Sequence, residues 1–327
     1  MQVAGNLAWA GVDLFFVLSG FFIGGILIDH RDSPRLARVF YVRRALRILP
    51  LCYVTLVVAL TLASADWGVS PPDFAPWVYG LFLSNFALAL QNHWEAFLLS
   101  VLWSLAVEEQ FYVIAPWVVR AISPARLPVL LLGLILSALL LRAGLKWQYP
   151  DLQVAIHVLT PLRMDALAWG ALVAWAVRAP EARAFFARLQ STWLFWLGCC
   201  AALLLALTAT RSSPGSTLQS YLGYTVVSIS FALLVAITVT VRPKLLNRFL
   251  ALPALTHLGR HSYFVYLWHV LIGLNVIRWL GGPDFVLNTP TGLLVVFGSI
   301  AATWLAAVIS WKYFEAPLLK LGHRTGY

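Results

Sequence analysis

The stretch FLLSVLWSLAVEEQFYVIAPWVV, residues 97–119, decides how this chain is read. It is apolar and long enough to cross a bilayer as a helix, yet it places Glu108 and Glu109 side by side near its middle. A carboxylate at mid-bilayer costs about 3 kcal/mol on insertion scales, so such groups usually face a bundle interior or a wet cavity. On a helix Ser104, Glu108, Phe111 and Tyr112 share one face. Glu109 points about 100° away, toward Leu105 and Val113. The pattern predicts a water-accessible polar groove that receives Glu108, with Glu109 at its margin. The competing reading is a carboxyl group hydrogen-bonded to a neighbouring helix for packing alone.

The rest of the chain has the same character. Of its 327 residues, 61% are hydrophobic and 11% charged, with a mean hydropathy of +0.82. A soluble domain carries about 25% charged residues. The expected architecture is therefore all-α: one polytopic transmembrane bundle over 1–327, with the lipid bilayer as its surroundings. Apolar runs give nine spans, at 10–28, 48–65, 99–119, 127–143, 160–177, 193–210, 221–241, 260–280 and 291–311. The segment 77–90 is short for a span and reads as a re-entrant or interfacial piece. Loops 29–47, 120–127, 178–192, 242–260 and 312–327 collect eighteen of the 23 Lys and Arg residues, whereas 66–98 has none. The positive-inside rule makes the first group cytoplasmic, with the C-terminus inside and the N-terminus outside. The net charge of +10 is thus assigned to membrane topology and not to nucleic acid. Cys52, Cys199 and Cys200 lie in apolar segments and suggest neither disulfides nor a metal site. No cleavable signal peptide is evident at the start.

Other polar residues stand out against this background. In GRHSYFVYLWHVLIG (259–273), Ser262, Tyr266, His269 and Gly273 form one helical stripe. His269 there is either a proton-transfer group or a packed imidazole. In FYVRRALRILP (40–50), Arg43, Arg44 and Arg47 share a flank suited to phosphate, although such arginines are also what a cytoplasmic loop contains. Arg163 and Asp165 are two residues apart and face nearly opposite ways, so each needs a partner on another helix unless it reaches the interface or the helix dipole. Asp13 opens the first span in a capping position, and Gly20, Gly24 and Gly25 permit close helix approach. Glu315 reads as the surface ion-pair partner of Lys312. No nucleotide-binding, metalloprotease or serine-hydrolase motif is present.

Six stretches in order, GVDLFFVLSGFFIGGIL, FYVRRALRILPL, LWSLAVEEQFYVIAP, RMDALAWGALVAW, LGRHSYFVYLWHVLI and YFEAPLLKL, resemble the motif series of the acyltransferase family 3 membrane proteins. These bacterial O-acyltransferases modify lipopolysaccharide O-antigen, peptidoglycan, exopolysaccharides, Nod factors and macrolides. The resemblance implies a ten-helix bundle in the bacterial inner membrane, with acyl-CoA, acetyl-CoA above all, as donor and no metal. It implies a glycan or lipid-linked saccharide hydroxyl as acceptor. It matches Glu108 to the constant glutamate of the tryptophan-serine-leucine motif that includes Trp103, Ser104 and Tyr112. Arg43, Arg44 and Arg47 match the loop that meets the CoA phosphates. Asp13 and Ser19 match the second-helix motif, Arg163 the arginine motif, and Tyr266 and His269 the tyrosine-leucine-tryptophan-histidine motif. Glu108 and His269 are the catalytic candidates. The family's first helix carries an Arg and, further along, the His regarded as its base; MQVAGNLAWA has neither residue. That departure leaves a trimmed reading frame or an inactive relative open, alongside a transporter or flippase as the rival class.

Overall fold

The computed structural model describes residues 10–65, 71–94, 98–209, 216–281, 286 and 289–327, and every regular element among them is helical. The nine residues before Ala10, where the Arg and His were sought, lie outside the described residues. The helices group into two compact units.

The first unit contains α1 (Ala10–Asp29), α4 (Ser84–Gln91), α5 (Leu102–Ala121), α6 (Leu127–Gln148), α7 (Gln153–Val158), α8 (Thr160–Arg178), α9 (Arg183–Ala209), α10 (Gln219–Val241) and α11 (Lys244–Leu250). The second contains α2 (Leu36–Ser64), α3 (Pro76–Gly80), α12 (Pro253–Gly281) and α13 (Pro290–His323). Each of the nine expected spans coincides with a helix. Seven helices among the described residues are long and apolar enough to cross a membrane; the helices outside that number include α5, which carries Glu108 and Glu109, and α8, which carries Arg163 and Asp165. Prolines in the first turns of α6, α8, α12 and α13 start these helices where no backbone N–H is needed.

The contact between α1 and α8 organises the first unit. A Cβ on Gly20 would lie 1.9 Å from the Leu167 carbonyl oxygen, and one on Gly170 would lie 2.0 Å from that of Val17. Only glycine lets two backbones approach so closely. Asp13 pairs with Arg163, and Asp29 pairs with Arg178 through both of its oxygens at 2.6 and 2.7 Å. The residue numbers rise together along both helices, so α1 and α8 run parallel. Two parallel spanning helices are separated by an odd number of crossings, as the three expected spans 48–65, 99–119 and 127–143 between them give. A tenth crossing at 77–90 would make the two helices antiparallel.

That segment instead breaks into α3 and α4, with Phe82 between them at a φ of 56°. Asn92 ends α4 in the left-handed conformation, which asparagine tolerates. Its side-chain oxygen accepts from the Val154 and Ala155 amides at the start of α7, at 3.1 and 3.3 Å.

In the second unit Tyr53 donates to the Gly80 carbonyl at 3.2 Å and Tyr263 to that of Ile48 at 2.8 Å, tying α3 and α12 to α2. Glu315 departs from its expected pairing with Lys312. It is buried and accepts from the Ser310 hydroxyl at 2.9 Å, while the Lys312 ammonium lies over the Tyr313 ring. The wide turn that Trp311–Glu315 makes in α13 carries the carboxyl group inward.

Candidate active site

Helix α5 buries Trp103, Ser104, Glu108 and Tyr112 together, as its sequence pattern requires. Glu109 is only half-buried. Glu108 is 2% exposed, so the open groove expected around it is closed. The Tyr112 and Ser19 hydroxyls bond to each other, and the Phe16 and Trp103 rings meet edge-on at 6.2 Å, both linking α5 to α1. Phe111, on the same face, lines an apolar cavity of about 160 Å³ with Gly24, Met164 and Leu131.

Gln110 belongs to a closed ring of hydrogen bonds that its sequence position did not announce. It donates to Asn85 at 3.0 Å, Asn85 donates to Thr160 at 2.8 Å, and the Thr160 hydroxyl returns to Gln110 Oε1. Gln110 also donates to the carbonyl of Phe82 at 2.8 Å. Each partner's donor is matched to an acceptor, which fixes α4 and the start of α8 against α5.

The same unit holds a cluster of four charges with no exposure above 1%. Arg163 Nη2 donates to Asp13 Oδ1 at 2.7 Å, and Arg142 Nη2 donates to Asp165 Oδ2 at 2.6 Å and to Thr225 Oγ1 at 2.7 Å. Arg142 also donates to the Leu162 carbonyl. The Arg163 guanidinium sits 4.1 Å from the centre of the Tyr224 ring and that of Arg142 at 5.6 Å. Tyr224 in turn bonds His157 Nδ1 at 2.6 Å. Burial first, and the Arg163 charge second, hold the His157 imidazole well below its usual pKa and therefore neutral. Asp13 is thus not a helix cap, and Arg163 does not reach for the interface. Both find partners on other helices, as does Asp165.

Sequence reasoning passed over Arg142, His157 and Tyr224. Arg142 had a visible signal, a lone charge at the end of an apolar run. His157 and Tyr224 had none, because only the packing of α7 against α10 brings them together.

The remaining candidates belong to the second unit. Arg43 donates to the Thr325 carbonyl at 2.6 Å and lies 4.8 Å from the Tyr327 ring centre. Arg44 stands over Phe40 and Arg47 is exposed. Tyr266 donates to the Val101 carbonyl at 2.5 Å. His269 is exposed, and its Nδ1 contacts the backbone oxygens of Tyr266 and Val265 at 2.8 and 3.1 Å. Ser262, Tyr266 and His269 line a shallow depression on α12. Glu108, Asp13, Ser19 and Arg163 are therefore gathered in one unit, and the three arginines, Tyr266 and His269 in the other.

A family model described as Acyltransferase domain matches residues 3–311. The chain belongs to this acyltransferase family. It is a multi-pass membrane protein of that family, with an all-helical fold. The peptidoglycan O-acetyltransferase OatA of Listeria monocytogenes is 26% identical over 97% of this chain and 53% of its own length. The O-acetyltransferase OatA of Staphylococcus aureus is 26% identical over 96% of this chain and 53% of its own length. The chain thus spans about half the length of the curated relatives it matches. No solved structure matches it.

Proposed function

We propose that this protein is a membrane O-acyltransferase of the bacterial inner membrane, moving an acetyl group from acetyl-CoA to a hydroxyl of a glycan such as peptidoglycan. The observation that carries the reading is Glu108, held at 2% exposure among Trp103, Ser104 and Tyr112 inside an acyltransferase-family helix. The names of the relatives supply the glycan class. In the reaction the acceptor oxygen attacks the thioester carbonyl carbon as a base takes the hydroxyl proton. The tetrahedral intermediate then expels the CoA thiolate, which is reprotonated. A carboxylate such as Glu108 orients an imidazole base and stabilises the imidazolium as it forms. Family resemblance gives that base to a histidine of the family's first helix, to which no residue of MQVAGNLAWA corresponds. His269, whose Nδ1 is engaged with its own helix, is assigned with Tyr266 to the acyl or acceptor path. Arg43, Arg44 and Arg47 are assigned to the CoA phosphates through charge-assisted hydrogen bonds. This places the donor and the C-terminus on the cytoplasmic side, following the positive-inside rule.

The test is acetyl transfer from acetyl-CoA by purified protein to glycan fragments. Glu108→Gln should lose at least about 100-fold in rate, in the range of a lost acid–base partner, and Glu109→Gln should keep most of it. Equal rates for both variants and the parent remove Glu108 from the site.

A further inference from the structure

The cavity beside Phe111 lies within the first unit, between α1, α5, α6 and α8. Every residue that lines its volume of about 160 Å³ is apolar, so water would find no hydrogen-bond partner there. An apolar protein cavity of about 150 Å³ stays dry and takes up a guest such as benzene. This one is elongated: its α5 wall runs from Phe111 to Val119, about 12 Å at 1.5 Å per residue. Ile114 in that wall is 54% exposed, so the space opens on an exposed face, which in a membrane protein meets lipid chains.

Where these helices end, a second space of about 490 Å³ meets the first at Ile28. Pro124, Pro128, Trp175, Arg178 and Glu181 line it, so it is polar where the first is not. Arg178 is spent on Asp29 and the Ala174 carbonyl, and Arg31 on the carbonyls of Arg120 and Ile122. Arg126 and Glu181 are exposed, and neither side chain has a partner among the described residues. Glu181 lines the polar space, and Arg126 stands between Ala125 of that space and Leu127 of the apolar one. A fitting ligand joins a long apolar chain to a headgroup that carries both charges.

We propose that the cavity holds one acyl chain of a zwitterionic glycerophospholipid from the leaflet bordering these helix ends, with the lipid phosphate at Arg126 and its ammonium at Glu181. Moving the chain in from the bilayer gains no hydrophobic free energy, since both surroundings are apolar. It gains the packing contacts that empty walls forgo and the charge-assisted bonds of the headgroup. The lipid then completes the packing of α5, the helix of Glu108, against α1, α6 and α8. Photo-crosslinking tests this: the purified full chain in dodecyl maltoside micelles is titrated with a phosphatidylethanolamine that carries a diazirine on one acyl chain. Leu131 and Ile135 stand one turn apart on α6, buried alike at 5% and 7% exposure, and only Leu131 lines the cavity. Cross-links mapped by mass spectrometry should favour Leu131 over Ile135 and level off with probe, while those on exposed Trp117 rise in proportion to it. Ile114→Trp, an exposed substitution that fills the mouth, should bring Leu131 down to the Ile135 level. Arg126→Gln should raise the half-saturating probe concentration about tenfold, the loss of one charged hydrogen bond. Equal labelling of Leu131 and Ile135 in the parent overturns the proposal, because no chain then enters. Leu131 labelling that never levels off means micellar lipid only and overturns it as well. An unchanged half-saturation in Arg126→Gln, or tighter binding of a matching phosphatidylglycerol probe, rejects the zwitterionic headgroup. Stronger labelling of Leu131 by a diazirine-bearing acyl-CoA gives the cavity to a donor chain instead and rejects the phospholipid.

Discussion

Arg142 is the residue whose removal should be felt most. Its guanidinium, at 0% exposure, is shared among Asp165, Thr225 and the Leu162 carbonyl. Arg142→Met keeps most of the stem and removes the charge, leaving Asp165 with only the Thr225 hydroxyl at 3.3 Å. Breaking one side of a buried pair costs about 3–5 kcal/mol, because the surviving charge is stranded where water cannot reach it. Asp165→Leu alone strands the guanidinium and should cost a similar amount, softened by the bonds that Arg142 keeps to Thr225 and Leu162. The double variant strands no charge. Its stability should lie within about 1 kcal/mol of the parent, since well-packed apolar replacements of buried pairs are often neutral. The coupling energy from the cycle is then roughly 4 kcal/mol or more. Reversible unfolding in mixed micelles of increasing SDS fraction measures all four proteins on one scale. Losses that simply add, or an Arg142→Met protein within about 1 kcal/mol of the parent, would show that water or lipid headgroups already solvate this cluster and that the burial argument fails.

Other outcomes follow from the same packing. Gly20→Leu or Gly170→Leu should prevent α1 and α8 from docking, since the added Cβ would overlap a carbonyl oxygen at 1.9 or 2.0 Å; Gly133→Ala, with nothing within 4 Å, should be neutral in the same folding assay. His157 is buried neutral in α7, between the spans α6 and α8, and has a depressed pKa. The unfolded chain therefore binds a proton that the folded one refuses. Stability should be intact well above pH 6.5 and should fall below it, by up to about 1.4 kcal/mol per pH unit. A His157→Gln variant should flatten that slope. Arg47→Ala should raise KM for acetyl-CoA by about tenfold while leaving KM for the glycan unchanged, the loss of one charged hydrogen bond; a larger effect on the glycan would reassign the basic flank.

Much of this protein could be read from the sequence alone. The nine expected spans follow from apolar runs, and each coincides with a helix, because a chain in lipid must satisfy its backbone internally and the helix does so within each segment. The non-spanning character of 77–90 followed from length and loop charge, and the parallel register of α1 and α8 agrees with it. The inward face of Glu108, Ser104 and Tyr112 followed from helical spacing, and the need of Arg163 and Asp165 for separate partners from their being two residues apart. What the tertiary structure decided is which partners they have. Asp13 and Arg163 are 150 positions apart and meet because Gly20 and Gly170 let two backbones touch. Arg142, His157 and Tyr224 acquire their roles only through that packing. Periodicity fixes the direction a side chain leaves its own helix; the identity of what it meets depends on helix crossings set by small residues far away in sequence, and no local pattern encodes that.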